Sequence, residues 1–195
     1  IIGVHLSCIT LSFVLIFAIR NVVDKYQNFY LKEIEQNKSL IEKNKSSYDL
    51  VAEAQESSEA EKAKNRDEVP VGAIIVNQKN EIVSSNGNRM LELNDPTAHA
   101  EILVIRNACK TLKTTKLFDF SLFTTLEPCA MCAMAISLVG IKNLYFATED
   151  KKKGCVENGT RIFSSNSCHH EPNVFNGFYK KESEVLLKKF FSQRR

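Results

Sequence analysis

The amino-acid sequence predicts an α/β fold, a three-layer sandwich with helices on both sides of a mixed sheet. Two observations predict it. From Asp67 onward, short apolar runs alternate with helix-length segments, and strands that alternate with helices form layered sheets. The composition, 195 residues with 44% hydrophobic and 25% charged side chains, is that of a globular chain able to bury a core. One ordinary domain therefore accounts for most of the chain.

The predicted strands are short runs of apolar and β-branched residues bounded by turn residues. The four runs that meet this description are residues 72–76, 81–85, 121–126 and 143–147. Residues 77–80, Asn-Gln-Lys-Asn, form the predicted turn between the first two strands.

Three helices are predicted in the same part of the chain. Asp95-Pro96 is a typical helix start, with Asp as the cap and Pro at the first helical position, and this helix runs to about Cys109. Pro128 opens a second helix that continues to about Val139. Residues 183–193 form an amphipathic helix with four apolar side chains on one face: Leu186, Leu187, Phe190 and Phe191.

The first 47 residues differ from the rest. Residues 1–19 are almost wholly apolar and just long enough to span a bilayer. We predict either a transmembrane helix that tethers the protein, with Arg20 and Lys25 keeping the remainder cytoplasmic, or an over-extended reading frame or fragment, since the chain starts with Ile. Residues 20–47 are polar and predict a linker or solvated helix. The folded domain is expected at 48–195.

The cysteine count and the net charge indicate the redox compartment and limit the kinds of partner. Six cysteines are too few for a disulfide scaffold in a chain of this length, which indicates a reducing compartment. The net charge of +3 is small, so a nucleic-acid partner would have to be bound by local basic clusters. Such clusters lie in the last quarter of the chain, although lysine clusters also simply solvate surfaces: Lys151–Lys153, Lys180–Lys181, Lys188–Lys189 and Arg194–Arg195.

Two predicted helix starts carry potential metal ligands. His99 lies near the first, and Cys129 and Cys132 lie near the second. Zinc prefers imidazole nitrogen and thiolate sulfur, and a catalytic zinc site has three protein ligands and one open position. Cysteines three residues apart are neighbours on one helical turn, and a helix N-terminus favours the thiolate. These residues therefore predict a catalytic zinc site.

Glu101 decides between a structural and a catalytic metal. On its helix it shares a face with Ile105 and Ala108, and this face should pack on the sheet, where an unpaired carboxylate is costly. A carboxylate two residues from a zinc ligand can move a proton from water to a leaving amine. Taken singly, each residue has a plainer interpretation: a core histidine, a redox or structural Cys-x-x-Cys, or a glutamate paired with a base. The combination is typical of zinc nucleobase deaminases.

Longer segments carry a closer resemblance. Residues 68–73 (Glu-Val-Pro-Val-Gly-Ala), 95–102 and 125–133 resemble the bacterial tRNA-specific adenosine deaminases of the TadA type. The similarity runs from about Ser46 to the end and leaves residues 1–45 outside. It implies a cytidine-deaminase-like α/β/α sandwich with a mixed five-stranded sheet, one zinc ion per subunit, a homodimer and a cytoplasmic location. The implied reaction is conversion of the wobble adenosine in a tRNA anticodon to inosine.

The resemblance also implies roles for individual residues. Zinc-bound hydroxide would attack C6 of the flipped-out base, and Glu101 would protonate the ring nitrogen and then the departing ammonia. Asn88 matches a position that hydrogen-bonds the target nucleotide, and Ala100 would contact the base through its backbone. Leu126 matches a pocket-wall position and Asp150 a residue at the RNA-facing rim. Leu126 as plain core and Asp150 as a solvated loop acid remain open alternatives.

The chain departs from this family after Asp150. The family usually has small residues there, whereas this chain has Lys151-Lys152-Lys153 followed by Gly154. Residues 169–172 are only loosely similar. Both segments would meet the anticodon loop.

Two other functions are consistent with parts of the pattern. Guanine deaminases share the Pro-Thr-Ala-His-Ala-Glu segment and act on the free base, but residues 68–71 and the basic C-terminal helix favour an RNA substrate. A non-catalytic zinc module that binds RNA would need a fourth protein ligand and would have no use for Glu101.

Overall fold

The computed structural model describes residues 20–21, 23–32, 57–177 and 180–194. The chain divides into two compact units, Ile1–Ser47 and Tyr48–Arg195. In the first unit the described residues are helical and exposed. The apolar segment 1–19 and the polar residues 33–47 lie outside the described part. No helix formed by the described residues combines the length and the apolar character needed to cross a membrane.

A five-stranded mixed sheet forms the centre of the second unit, which confirms the predicted fold class. The strands are β1 (Gly72–Val76), β2 (Ile82–Gly87), β3 (Ser121–Leu126), β4 (Asn143–Thr148) and β5 (Asn173–Asn176). Their order across the sheet is β2-β1-β3-β4-β5. β1 is antiparallel to both β2 and β3, whereas β3, β4 and β5 are parallel.

Helices cover both faces of this sheet. They are α1 (described residues 57–65), α2 (Ala100–Leu112), α3 (Ala130–Val139) and α4 (Lys180–Ser192). α2 and α3 enclose the larger core cluster, which includes Ile75, Val104 and Ile136. On the opposite face, α1 and α4 line one shallow cavity together with Thr125 of β3. The result is the predicted three-layer arrangement.

The central strands are apolar on both sides, as expected for strands covered by helices on both faces. In β1, Ile75 points into the core beneath α2 and α3, and its neighbour Ile74 points to the other face. Both side chains are fully buried. On the Ile74 face, the rings of Phe123, Tyr145 and Phe175 stack across three adjacent strands, with centroids 4.4 and 4.7 Å apart.

The topology brings two helix N-termini to one edge of the sheet. α3 follows β3 after a short connection, so it starts at the C-terminal end of that strand. The start of β1 lies beside the end of β3 because the two strands are antiparallel, with Ala73 opposite Thr124. Val71, just before β1, accepts a hydrogen bond from the backbone N–H of Asn88, and Asn88 in turn holds Ala100 at the start of α2.

The prediction that a helix starts at Asp95-Pro96 is wrong. The α2 helix begins at Ala100, and its N-cap is His99. The Asp95 carboxylate accepts hydrogen bonds from the backbone N–H and the hydroxyl of Thr97, at 2.8 and 2.7 Å. The Asp95 side chain therefore stabilises a turn through Thr97, two residues later in the chain. This arrangement competes with capping of a helix.

The other predicted boundaries need smaller corrections. α3 begins at Ala130, with Cys129 rather than Pro128 before it, and ends as predicted before Gly140, whose φ of 77° is left-handed. α2 continues to Leu112, and α4 starts at Lys180. β5 was not identified as a separate strand from the sequence, because its four residues contain only two apolar side chains.

Candidate metal centre

Three potential metal ligands meet where α2 and α3 begin. The Nδ1 atom of His99 lies 3.7 Å from the Sγ atom of Cys129 and 3.5 Å from the Sγ atom of Cys132. All three ligand atoms lie within 4.8 Å of one another. Zn–S and Zn–N bonds of about 2.3 and 2.0–2.1 Å at tetrahedral angles put ligand atoms about 3.5–3.8 Å apart. The donor set and its spacing therefore fit a zinc ion.

Helix capping positions explain how these side chains meet. His99 and Cys129 are the N-caps of α2 and α3, both with extended backbone, and neither side chain caps its own helix. Their side chains are therefore free to point toward each other. Cys132 lies in the first turn of α3 and is fully buried. The sequence prediction that brings His99, Cys129 and Cys132 together is thus matched by the geometry.

The electrostatics of the cluster favour a cation. A hydrogen bond from Cys132, together with one from His99, lowers the pKa of Cys129 to about 3 despite partial burial. The pKa of Cys132 is raised because Cys132 donates to Cys129 and is buried. The hydrogen bond with Cys129 also raises the pKa of His99. A thiolate at Cys129 is consequently present at neutral pH, as a metal ligand requires.

Glu101 is a buried carboxyl group beside the cluster. It is 4% exposed, and burial raises its pKa, while the charge of His99 opposes that rise. None of the ion pairs within the described part of the chain involves Glu101. The basic group that acts on Glu101 is His99, one of the potential metal ligands. A buried carboxyl group with a raised pKa beside potential metal ligands is a candidate to accept and release a proton.

Asn88 lies next to the start of α2 and is 5% exposed. Its side-chain Oδ1 atom accepts a hydrogen bond of 2.9 Å from the backbone N–H of Ala100. Its backbone carbonyl oxygen accepts one of 3.2 Å from the guanidinium group of Arg66. The bond through Oδ1 fixes the orientation of the side-chain amide, whose remaining polar group, Nδ2, is a hydrogen-bond donor. The backbone N–H of Ala100 is already used by Asn88.

The remaining two predicted substrate contacts, Leu126 and Asp150, both contact other parts of the protein. Leu126, at the end of β3, is half-buried and packs against the main core. The Oδ1 atom of Asp150 accepts hydrogen bonds of 2.9 and 3.1 Å from the backbone N–H groups of Lys152 and Lys153. Asp150 is therefore more than a solvated acid, because its carboxylate orders the turn that follows it.

Two further buried glutamates each bind the backbone of a loop, and the sequence did not reveal these roles. Glu68 is 2% exposed and accepts the backbone N–H groups of Leu91 and Glu92 at 2.7 and 3.0 Å. Glu127 is 3% exposed and accepts five N–H groups at 2.7–3.0 Å. The only local signal was an acidic residue directly before Pro128-Cys129. Its partners lie 23 to 31 residues later in the chain.

Comparison with known proteins identifies related chains. Residues 46–148 match the family model for the cytidine and deoxycytidylate deaminase zinc-binding region. A tRNA-specific adenosine deaminase from Agrobacterium fabrum is 49% identical over 137 residues, which cover 70% of this chain and 90% of the relative. A solved structure from a study of A-to-I editing by tRNA deaminases at the wobble position is 48% identical, with a TM-score of 0.66, covering 68% of this chain and 95% of that chain.

A guanine deaminase from Nitrosomonas europaea has the same fold at much lower identity. The sequences are 20% identical, with a TM-score of 0.60, and the match covers 70% of this chain and 81% of that chain. At this identity the likeness concerns the fold alone.

The hydrogen bonds to Glu127 predict a pH-dependent contribution to stability. Burial raises the pKa of Glu127, but the N–H groups of Asn158, Val156 and Asp150 outweigh burial and hold the pKa below its ordinary value of 4.5. The ionised form therefore stabilises the folded state above about pH 4.5, and this contribution is lost as the pH falls through the lowered pKa. We expect Glu127→Gln to lower the free energy of unfolding by about 1–3 kcal/mol at pH 7.

Denaturant unfolding at several pH values, with zinc held constant, measures this difference. The gap between wild type and Glu127→Gln should narrow below pH 4.5. The exposed neighbour Glu157→Gln, which makes the same change of charge, serves as the control and should show no such gap. A gap that stays constant down to pH 3.5 would contradict the assigned role of the ionised carboxylate.

Proposed function

The chain belongs to the zinc-binding cytidine and deoxycytidylate deaminase family and, within it, to the tRNA-specific adenosine deaminases, and we propose that it converts the wobble adenosine of a tRNA anticodon to inosine. One observation carries this proposal: the ligand atoms of His99, Cys129 and Cys132 converge beside the buried carboxyl group of Glu101. Hydrolytic deamination by zinc enzymes requires a metal ion with one open coordination position and an adjacent group that transfers protons.

His99, Cys129 and Cys132 would hold one zinc ion per chain. When bound, zinc makes water nucleophilic near neutral pH by lowering its pKa to about 7. Three protein ligands leave the fourth position of a tetrahedral ion open. The donor set and the spacing of the three ligand atoms support this assignment.

Glu101 would move the protons of the reaction. The water oxygen bonds to C6 of adenine while the Glu101 carboxylate takes a proton from that water. Glu101 passes the proton to ring nitrogen N1, and a second proton from the same water goes to the exocyclic nitrogen. The C6–N bond then breaks with its electrons leaving on nitrogen, and ammonia departs. The position of Glu101 two residues from His99 supports this role, and so does its burial, which raises its pKa.

The base would be positioned by residues around the cluster. Asn88 would donate a hydrogen bond to the target nucleotide through Nδ2, since its Oδ1 is already bound to Ala100. The backbone at Ala100 and the side chain of Leu126 would form the floor and wall of the pocket. Asp150 would lie at the rim, where it orders the lysines that follow.

The partner would be the anticodon stem-loop, and the enzyme would act as a homodimer in the cytoplasm. An RNA substrate is supported by the identity to tRNA-specific relatives and by exposed basic residues, which bind phosphate groups. These include Lys151–Lys153 and, on α4, Lys188 and Lys189. A non-catalytic zinc module is disfavoured because a structural zinc needs a fourth protein ligand, and the potential ligands that converge among the described residues are three.

The substrate is tested by supplying RNA and free base separately. We expect inosine at the wobble position when the zinc-loaded protein is incubated with an anticodon stem-loop carrying adenosine there, measured by mass spectrometry of the digested nucleosides. The same stem-loop with adenosine moved one position away is the control and should remain unmodified. Conversion of guanine to xanthine without turnover of the stem-loop would replace the proposed substrate and leave the deaminase chemistry in place.

Metal analysis tests the three ligands. Purified protein should contain about one zinc ion per chain, the count expected of a site with three protein ligands. Cys129→Ser and Cys132→Ser should lose both zinc and deamination. Cys109→Ser, a half-buried cysteine in the C-terminal half of α2, is the matched control and should retain both. Full zinc occupancy in either ligand variant would rule out this donor set.

Glu101→Gln tests the proton carrier. This change keeps the size of the side chain and removes its basicity, so zinc content and RNA binding should persist while the rate falls by about 10²–10⁴-fold, the usual contribution of general acid–base catalysis. Single-turnover kinetics with saturating stem-loop measure the rate. Glu171→Gln, an exposed glutamate, is the control. Near-normal activity of Glu101→Gln would remove Glu101 from the mechanism.

A further inference from the structure

The segment after β4 is joined to the segment that carries the candidate metal ligands. We name residues 150–158 the lysine loop. Gly154 of this loop and Cys129 form an antiparallel bridge, and the backbone N–H of Cys155 donates a hydrogen bond of 3.0 Å to the carbonyl oxygen of Pro128. The lysine loop therefore lies directly beside the N-terminus of α3.

Glu127 ties both ends of the lysine loop to one buried carboxylate. Its Oε1 atom accepts the backbone N–H groups of Val156, Glu157 and Asn158 at 2.9–3.0 Å. Its Oε2 atom accepts the backbone N–H of Asp150 at 3.0 Å and the side-chain amide of Asn158 at 2.7 Å. Five charge-assisted hydrogen bonds to one buried group fix the path of the loop.

Gly154 permits this close approach. A Cβ atom at this position would lie 2.4 Å from the carboxyl carbon of Glu127 and 2.5 Å from the carbonyl oxygen of Asp150. No other residue type fits there without moving the loop away from Glu127. We call this attachment of the lysine loop to Glu127 the clamp. It depends on glycine at position 154 as well as on hydrogen bonds.

The clamped loop presents three consecutive lysines. Lys151, Lys152 and Lys153 are exposed, and Asp150 orders the turn through the backbone of the last two. None of the ion pairs formed within the described ranges includes these ammonium groups. Lys153 directly precedes Gly154, whose bridge to Cys129 places this lysine beside the candidate metal centre.

We propose that Glu127 is a positioning residue, which sets the lysine loop beside the candidate metal centre so that Lys151–Lys153 bind phosphate groups of the RNA backbone. The inference rests on the proposed function, because it requires a polynucleotide at this centre. Ammonium groups without carboxylate partners are available to phosphates. A loop that is already ordered loses little conformational entropy on binding.

Tryptic cleavage tests the clamp without reference to activity. In Glu127→Gln, the side chain still offers one oxygen to residues 156–158, but its amide faces the backbone N–H of Asp150. The turn at Lys151–Lys153 is then released. Cleavage after these lysines, followed by mass spectrometry of the zinc-loaded protein, should be several-fold faster than in wild type or in Glu157→Gln. Unchanged cleavage, or an equal increase at Lys110 and Lys142, would overturn a local clamp.

RNA kinetics test the role of the loop. The triple variant Lys151→Gln, Lys152→Gln, Lys153→Gln should raise KM for the anticodon stem-loop by about tenfold or more and reduce the slope of log KM against log salt by about 2, the effect of three lost contacts to single-stranded RNA. Zinc content and the single-turnover rate at saturating RNA should change by less than about threefold. Glu127→Gln should show the same split between KM and rate.

A second triple variant is the matched control: Lys79→Gln, Lys110→Gln and Lys142→Gln. These exposed lysines lie at the opposite end of the sheet, beyond the end of β1, at the end of α2 and before β4. They make the same change of charge and should leave KM and its salt dependence unaltered. Equal effects of the two triple variants, or a loss of rate with KM unchanged, would overturn the proposal.

The proposed function and the role of the lysine loop are tested by different outcomes. If wild-type protein does not deaminate the stem-loop, the proposed function fails, and the RNA-binding role of the lysine loop fails with it. The cleavage experiment still decides whether Glu127 clamps the loop. If deamination occurs but both triple variants behave like wild type, only the inference about the lysine loop is overturned.

Discussion

The meeting of two helix N-termini at one edge of the sheet is the constraint on which the site depends. β1 runs antiparallel to β3, so the segment before β1 and the end of β3 lie side by side. Asn88 ties α2 to the first, and α3 continues from the second. His99 and Cys129 cap these helices without bonding to them, and the positive ends of both helix dipoles stabilise thiolate there. Backbone topology thus supplies both the geometry and the electrostatics of the candidate metal centre.

Three glutamates are buried among the described residues, and their hydrogen-bond partners separate their roles. Glu68 and Glu127 are satisfied by backbone N–H groups from neighbouring loops, and the pKa of Glu127 is lowered as a result. Glu101 is equally buried, but the cluster itself provides its main electrostatic neighbours, and its pKa is raised. A carboxylate that is fully bonded holds structure, whereas one that can exchange a proton can take part in chemistry. Burial alone does not distinguish the two.

Sequence reasoning succeeded where the information is local and failed where it is not. The strands at 72–76 and 121–126 follow from apolar runs between turn residues, and the ligand trio follows from residue type and spacing. The helix start at Asp95 was wrong because the same carboxylate can close a turn with Thr97, and the sequence does not reveal which geometry prevails. The role of Glu127 could not be predicted, because its partners belong to a loop that follows α3 and β4 in the chain, 29 to 31 residues later.

The arrangement also locates where substrate choice must be made. A zinc ion held by the proposed ligands, with Glu101 as the proposed proton carrier, would remove an amino group from any base that reaches it. These residues alone therefore do not distinguish a free base from a nucleotide within RNA. Discrimination requires contacts outside the reacting ring. Two loops flank the centre, one held by Glu68 and the other by Glu127, and only the second presents three exposed lysines in a row. Free purines carry no phosphate for these lysines to bind, whereas every nucleotide of an anticodon loop does. A basic loop fixed by a buried acid therefore favours RNA over a free base without altering the chemistry beside it.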